Sequence, residues 1–448
     1  MNTNEIIRLL ESQVDEITAT IVYDLITDKG ATDDLYKKLY SEYKGAVPIL
    51  DRLKPESIPD YKALNKIPSG LRGVFVLQGA TYTLGKTSKV SSPDDKTLEK
   101  VLEFRKKNLL HASDIALLTM GCVCGQSGRL LFFDKQANLR VKNFKSWEYL
   151  VVKDATTNLS QYGLHYYEVT EKIGKKEKKY IHAELYDSTK IQYYMLEGGT
   201  AKKNPAKPDQ KHGFEYVPIV EYVNDKTQGD FQEERPQIDA YDLLLSIEQD
   251  ELEDLRTSYM VFSGAKPTPE QMEEAKFTGA FGSDDPEFKV AYLEKVANAE
   301  RTKSQLERLR KDAFTSANRV DMRDDKSTAK SGYARILELQ TLEDDCSLKR
   351  IEMQKVSTNM YEILASGFKK TGDSIEWETI VTEYMNNLPI DLTYYADFTQ
   401  KMFGKIPTRI LYEQLPFIHN VDTAVAEFEK EAKGVLDYTG NAGAGETN

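Results

Sequence analysis

A phosphate-binding loop is the first chemistry that the residue types suggest, in the segment Gly79–Ser88 (GATYTLGKTS). Such a loop needs the pattern G-x-x-x-x-G-K-[ST], in which backbone N–H groups surround the phosphates and the lysine reaches them. Here Gly79 and Gly85 are separated by five residues, and Ala80 stands where the first glycine is required. The following KTSKVSSPDD has the composition of a loop. We therefore predict the end of a helix and a turn here, and no nucleotide site.

A metal site is the second candidate, because Cys122 and Cys124 are separated by a single residue. Zinc sites usually combine C-x2-4-C with a second pair of ligands. Cys346 lies far away along the chain, and the five histidines are scattered. We expect buried cysteines at a helix-to-strand turn, with no metal and no cofactor. No Ser/His/Asp or Cys/His arrangement stands out either, so we expect no enzymatic activity.

The composition limits the class of protein. A chain of 448 residues is long enough for two or three domains. The formal charge of −12 argues against a protein whose main task is to grip nucleic acid, because that affinity comes from Lys and Arg. The same charge suits a surface along which DNA must pass without sticking. No apolar run is long enough for a membrane span or a signal peptide, and the three cysteines fit a reducing compartment.

Periodicity predicts an α+β first half and a helical second half. Alternating residues indicate a hairpin at Arg129–Phe144, with DKQAN as its turn. Other predicted elements of the first half include two helices, Thr3–Asp28 and Asp33–Tyr43, with a turn between them, and a polar helix, Lys96–Asn108. They also include the strands Glu148–Lys153, Leu164–Ile173, Lys179–Tyr186, Lys190–Leu196 and Val217–Tyr222, and a mobile basic loop, Gly198–His212. Near the C-terminus we predict a strand at Asp391–Phe398, a helical piece from Thr408 to Lys433 and a disordered tail, Gly440–Asn448.

Three long helices dominate the second half. Apolar residues step by three and four through Ile238–Phe262 and Ala299–Arg323, and again in a helix that begins at Ser331–Gly332. A small α/β insert, Ser263–Asn298, separates the first two. The first helix is acidic and the second is basic, and opposite charge on paired helices can set their register within one chain or between neighbouring chains. The residues that we expect to do this are Glu248, Glu251, Asp254, Arg301, Arg308 and Arg310.

The order of these segments resembles the portal proteins of tailed bacteriophages, in the branch typical of long-tailed siphophages. The most specific match is HGFEYVPIVEYVND followed by QIDAYDLLLSIEQDELED, where Asp242 replaces the commoner Asn. Other matching segments are GVFVLQGATYTLGK, VCGQSGRLLFFDKQANLRVKNFKSWEYLVVKD, DDKSTAKSGYARILELQ and LPFIHNVDTAVAEFEKEAK. None of these motifs is catalytic, so the resemblance rests on their order and spacing over nearly the whole chain.

The resemblance implies an α+β portal fold that assembles as a ring of about twelve copies at one capsid vertex, with DNA pumped through its channel. The implied parts are an outer wing (1–237 and 332–405), two stem helices (238–262 and 299–323), a clip (263–298), a tunnel loop (324–331) and a crown with a disordered tail (406–448). The implied partners are non-specifically bound double-stranded DNA, the terminase large subunit, a head-completion (adaptor) protein, and the major capsid and scaffolding proteins, with no membrane. The implied location is the virion, and the host cytoplasm during assembly.

The predicted channel contacts are Asp324, Asp325, Lys326, Ser327, Thr328 and Lys330. Weak contact of the two lysines with phosphates is what translocation needs, because tight binding would stall the DNA. The alternative for both lysines is a solvated turn between helices. The alternative for the whole chain is a helical scaffold or adaptor protein of a virion, without a DNA channel.

Overall fold

The structure is a computed structural model of the chain. It describes residues 18–57, 62–173, 176–255, 260–263, 267–278, 287, 289–292, 299–323, 339–385, 392–415, 418, 421, 424–428 and 430. Two compact units form: the larger takes Met1–Asp321 and Thr341–Asn387, and the smaller takes Met322–Gln340 and Leu388–Asn448. Helices and antiparallel sheets are both present, so the predicted α+β class is confirmed.

The first described helix, α1, runs without interruption from Ala19 to Tyr43, and the turn predicted inside this range is wrong. The helix passes through Gly30 because buried contacts one turn apart hold it. Lys29 Nζ donates to Asp33 Oδ1 at 2.6 Å and to the Ser146 carbonyl at 2.7 Å. Tyr166 donates its hydroxyl to Asp33 Oδ2 at 2.6 Å. The sequence shows the polar residues and the glycine but not these distant partners.

Three further helices of the N-terminal half surround a common apolar core: α2 (Leu71–Leu84), α3 (Asp95–Lys107) and α4 (Leu110–Cys124). The segment that imitates a phosphate loop is the end of α2 and the turn after it, as predicted. Cys122 and Cys124 are fully buried at the end of α4, just before strand β2 (Gln126–Phe133), so their predicted burial at a helix-to-strand turn is confirmed. Gly125 ends α4 with φ +85°, and a side chain there would lie 2.4 Å from the Thr227 carbonyl oxygen.

Two antiparallel sheets build the rest of this half. The predicted hairpin at Arg129–Phe144 is confirmed, because Phe133 pairs with Leu139 across the turn at Asp134. The strands of this half are β1 (Lys89–Ser91), β2 (Gln126–Phe133), β3 (Leu139–Asn143), β4 (Tyr149–Lys153), β5 (Ser160–Ile173), β6 (Lys176–Tyr186), β7 (Lys190–Glu197), β8 (Thr200–Lys203), β9 (Gln210–Lys211) and β10 (Ile219–Val223). The three-stranded sheet has the order β10–β2–β3, and the six-stranded sheet has the order β4–β5–β6–β7–β8 with β9 also paired to β7; β1 lies in neither.

The basic segment predicted as a mobile loop is ordered instead, since it contributes β8 and β9 to the larger sheet. Asn204 N donates to the Tyr193 carbonyl at 2.8 Å. His212 closes the segment: its Nδ1 accepts from Phe214 N at 3.1 Å, so its Nε2 carries the proton and donates to the Asp187 carbonyl at 2.9 Å. Both ring nitrogens are therefore used by the neutral imidazole. Burial lowers the pKa of His212, although the Asp187 carbonyl partly opposes this.

Replacing His212 by glutamine is expected to flatten the pH dependence of stability between pH 7.5 and 5.5. Because the folded pKa is lowered, the unfolded chain binds the proton first, and the contribution of neutral His212 is lost as the pH falls below about 6.5. Glutamine can accept and donate in the same places without titrating. Urea midpoints of the wild type, His212→Gln and the control His111→Gln would be compared. An equal loss of stability in wild type and His212→Gln would contradict the assignment.

The second half of the chain follows the predicted order but not the predicted boundaries. Its helices in the larger unit are α5 (Arg235–Leu255), α6 (Pro269–Thr278), α7 (Ala299–Ser316) and α8 (Gln340–Lys370, whose first residue belongs to the smaller unit). The helix predicted to reach Phe262 ends earlier, because Met260–Ser263 forms strand β11, antiparallel to β12 (Lys289–Tyr292). A strand β13 (Val381–Glu383) pairs with β1.

The helix predicted to reach Arg323 also ends earlier, at Ser316. Asn318 takes the left-handed conformation, with φ +52°. Arg319 N then donates to the Phe314 carbonyl at 2.9 Å, which closes the end of the helix. The predicted start of the long helix at Ser331–Gly332 lies outside the described residues, as does the tail Gly440–Asn448.

The smaller unit contains helices α9 (Leu392–Met402) and α10 (Thr408–Glu413). The strand predicted at Asp391–Phe398 is therefore wrong. Tyr395, Ala396 and Thr399 follow the spacing of a helix and line one apolar recess of about 890 Å³, so packing overrides the strand preference of Tyr and Thr here. Among the described helices of the chain, none has the length and apolarity that crossing a membrane requires.

Candidate functional site

The two helices predicted as a stem pack against each other as an antiparallel pair. Near the start of α5, Gln237 Oε1 lies 3.2 Å from Ser316 Oγ at the end of α7. Ile238 and Ala313 are fully buried at this end and belong to the main core of the larger unit. Towards the other end of α5, Leu252 keeps 54% of its surface exposed. The helix pair is thus fixed in the protein body at one end and presents apolar surface towards the other.

The charged residues predicted to set the register of the pair have different partners within the chain. Arg310 binds Asp321 through two hydrogen bonds, of 2.5 and 2.8 Å, and stacks 4.9 Å from the centre of the Phe314 ring. Arg308 is largely exposed and lies 3.5 Å from Asp312 on its own helix.

The remaining predicted register residues lie on the same two helices. Glu248 and Glu251 are half-buried on α5, Arg301 is exposed on α7, and the side chain of Asp254 lies outside the described part of the chain. Whether Glu248, Glu251, Asp254, Arg301, Arg308 and Arg310 meet between neighbouring subunits stays a prediction.

An extended segment, residues 62–70, runs along α5 and is fixed to it by three side chains. The backbone N–H groups of Asn65, Ile67 and Ser69 donate to Asp250 Oδ1 (2.5 Å), Ser246 Oγ (3.0 Å) and Asp242 Oδ1 (2.9 Å), respectively. Alternate residues of an extended chain face the same side, and two of them span about 6–7 Å, which matches one helical turn. The three acceptors, Asp242, Ser246 and Asp250, are visible in the sequence as polar residues spaced four apart on α5.

The start of α5 is held by a second group of charges. The Arg72 guanidinium binds Glu42 at 3.1 Å, Asp242 at 3.4 Å and Asp239, so that each of its three nitrogens contacts a carboxylate. Arg235 also binds Glu42, at 2.6 Å. Burial raises the pKa of Asp242, and the hydrogen bonds from Ser69 and the charge of Arg72 oppose that rise. These contacts join α1, α2 and α5 at one point.

The end of the helix pair where α5 begins and α7 ends is fixed by a largely buried ionic cluster of four residues: Asp230, Arg319, Asp345 and Lys349. Arg319 binds Asp230 at 2.6 Å and Asp345 at 2.8 Å, and Lys349 binds the same two carboxylates at 3.1 and 2.8 Å. The side chains of Arg319, Asp230 and Lys349 are at most 3% exposed. Arg319 also donates to the carbonyls of Phe75 and Ala317, both at 3.0 Å.

The electrostatics of this ionic cluster favour the charged forms. Burial alone would raise the pKa of Asp230, but the charges of Lys349 and Arg319 hold it below its ordinary value. Burial would lower the pKa of Lys349, and Asp230 reverses that effect. Asp230 and Lys349 therefore stay ionised at neutral pH. One could have suspected the cluster from the sequence, because Lys349 occupies a slot in the apolar stripe of the long helix.

Close packing explains why the apparent phosphate loop has a glycine at position 79. Gly79 faces the ionic cluster from α2, and a side chain at this position would lie 2.3 Å from Asp230 Oδ2 and 2.8 Å from Arg319 Nη2. The glycine therefore serves close packing against the cluster. Within the described residues, no group of three or more His, Cys, Asp and Glu side chains is arranged to hold a metal ion. The predicted channel residues Asp324, Asp325, Lys326, Ser327, Thr328 and Lys330 lie outside the described part.

Comparison with known proteins settles the family. The profile of the family described as phage portal protein, SPP1 Gp6-like, matches residues 25–436, which is most of the chain. The chain belongs to this phage portal protein family. A portal protein of Clostridium phage phiCD119 is 24% identical over 230 residues, which cover 50% of each chain. The chain thus spans about half the length of the curated relative that it matches. Membership of the portal family confirms the resemblance found in the sequence.

Proposed function

We propose that the chain is the portal of a tailed phage capsid: a ring of about twelve copies at one vertex, through which the genome is packaged and later leaves. The family match over residues 25–436 is the observation that carries this proposal. In this assignment the chain is a structural protein that lines a channel and docks other machines. Its partners are the terminase large subunit during packaging, a head-completion protein afterwards, and the capsid and scaffolding proteins around it.

The helix pair α5 and α7 has the properties expected of a stem. The end where α5 begins is fixed in the body by the two charged clusters described above, and the extended segment 62–70 is bound along α5 as far as Asp250. The apolar surface of Leu252 suits burial against a neighbouring subunit. The insert between the two helices contains β11, α6 and β12, and we assign it as the clip that meets the terminase. Glu248, Glu251, Asp254, Arg301, Arg308 and Arg310 are assigned to contacts within and between stems.

Residues 324–331, the tunnel loop of the sequence analysis, are assigned as the channel loop, since they come shortly after the end of α7 and carry Lys326 and Lys330. The net charge of −12 supports passage of DNA without tight binding. Two lysines per copy, partly offset by Asp324 and Asp325, would give weak, sequence-independent contacts with phosphates.

Replacing Lys326 and Lys330 by alanine together is expected to leave the ring intact and to lower the number of DNA-filled particles by about two- to tenfold, because phosphate contacts are lost. The measurement is complementation of a phage without its own portal gene, followed by counting filled capsids. The matched control is the double variant Lys37→Ala and Lys38→Ala, which removes two exposed lysines from α1. Normal filling in the loop variant would remove these lysines from the channel assignment.

A further inference from the structure

Three consecutive residues beyond the end of α7 are each fixed by a different side chain. Arg319 is bound in the ionic cluster through Asp230 and Asp345. Asp321 is held by the two hydrogen bonds from Arg310. Val320, between them, has an apolar side chain, yet its backbone is bound at both polar atoms. We name residues 319–321 the anchor.

Gln78 of α2 makes both contacts with Val320. Its Nε2 donates to the Val320 carbonyl at 2.8 Å, and its Oε1 accepts from Val320 N at 3.1 Å. This is the pairing that a neighbouring β-strand would make, supplied by one amide side chain. An amide side chain carries both the donor and the acceptor that this pairing needs. Gln78 is half-buried on a helix, where it is not needed to fill the core.

Residues 319–321 make many contacts for a segment that follows the end of a helix. The chain leaves α7 through the left-handed Asn318, and a tail of this kind would ordinarily be among the more mobile parts. Here contacts from α2, α7, α8 and the segment before α5 converge on three residues. Such contacts stabilise the fold, but a single salt bridge would do that. Fixing both the backbone and the flanking side chains determines position and direction as well.

We propose that the anchor sets the position from which the chain continues towards the channel loop, and that Gln78 is a positioning residue for DNA passage. This inference rests on the portal function proposed above. Gln78 acts through Val320 and touches neither DNA nor a partner. Loss of its side chain should therefore change packaging while the ring still assembles.

The test replaces Gln78 by alanine in the full-length chain, with Thr81→Ala as the matched control. Thr81 lies one turn further along the exposed side of α2, and its hydroxyl bonds only the Leu77 carbonyl of the same helix. Alanine favours the helix in both cases. Hydrogen exchange of the Val320 amide is expected to become about tenfold faster in Gln78→Ala and to stay unchanged in Thr81→Ala. Ring mass and DNA-filled particles are then measured for both variants in the complementation assay.

Rings of normal mass, faster exchange at Val320 and fewer filled particles in Gln78→Ala alone would support the positioning role. Faster exchange of the Val320 amide, together with as many DNA-filled particles as in Thr81→Ala, would overturn it. A failure of Gln78→Ala to form rings would also overturn it, because Gln78 would then be needed for ring assembly. Gln78→Glu provides a second check, because it keeps the acceptor for Val320 N but sets a carboxylate oxygen against the Val320 carbonyl in place of the donor; filling should fall at least as far as in Gln78→Ala. If the wild-type chain itself forms no ring that fills capsids, the portal function fails, and this outcome is distinct from the others.

Discussion

Replacing Arg319 by methionine is expected to lower the free energy of unfolding by about 3–5 kcal/mol, the largest effect of any single change discussed. The variant keeps a side chain of similar length but leaves the buried carboxylate of Asp230 and the partly exposed carboxylate of Asp345 to share Lys349 alone. It also leaves the Phe75 and Ala317 carbonyls without their donor. The measurement is urea denaturation of the full-length chain at pH 7 and fixed salt.

The control for this prediction is Lys311→Met on α7, whose side chain is exposed and has no assigned contact with a neighbouring stem. Its effect should stay within about 0.5 kcal/mol, as for most surface changes. The pH dependence gives a second readout. Removing Arg319 lets burial raise the pKa of Asp230, so the carboxyl takes up a proton more readily and the difference from wild type should shrink as the pH falls towards 4. A loss of unfolding free energy below about 1 kcal/mol at pH 7 would show that the ionic cluster is not a main source of stability.

Replacing Gly79 by alanine is expected to destabilise the chain by about 1–3 kcal/mol, although alanine favours a helix. The added methyl group would lie 2.3 Å from Asp230 Oδ2, so either α2 or the ionic cluster must move. Gly73→Ala on the same helix is the matched control, because nothing lies within 4 Å of its added methyl group. That variant should be neutral or more stable by up to about 1 kcal/mol.

Opposite signs for these two glycines in urea denaturation would confirm that Gly79 is required by packing rather than by helix flexibility. Two changes of the same sign would contradict the contact between α2 and the cluster.

Local patterns predicted much of the fold. The hairpin at Arg129–Phe144 is encoded by alternation and a turn in one short stretch, and the helices that begin near Ile238 and at Ala299 are encoded by their apolar stripes. These signals fail where tertiary contacts decide. The helix through Gly30 needs Ser146 and Tyr166, and the helix at Leu392–Met402 needs an apolar recess that Tyr395 can line.

The candidate site was only half visible in the sequence. The acidic and basic character of α5 and α7 could be read directly, but the partners of these charges could not. Asn65 and Asp250 are 185 residues apart, and Arg319 and Asp230 are 89 apart. One sequence alone gives no means to tell which of these distant residues contact each other. The traces left in the sequence are polar residues four apart on α5 and a lysine, Lys349, within an apolar stripe.

The most direct test of the portal function is native mass spectrometry of the purified full-length chain, with imaging of the same sample by negative stain. The account predicts closed rings with a central hole and a mass of about twelve times the 51.0 kDa of one chain. The sample is also prepared with the capsid and scaffolding proteins of its phage, so that a ring that closes only with these partners is detected. A monomer or a small oligomer under both conditions would contradict the portal function and favour a helical adaptor without a DNA channel.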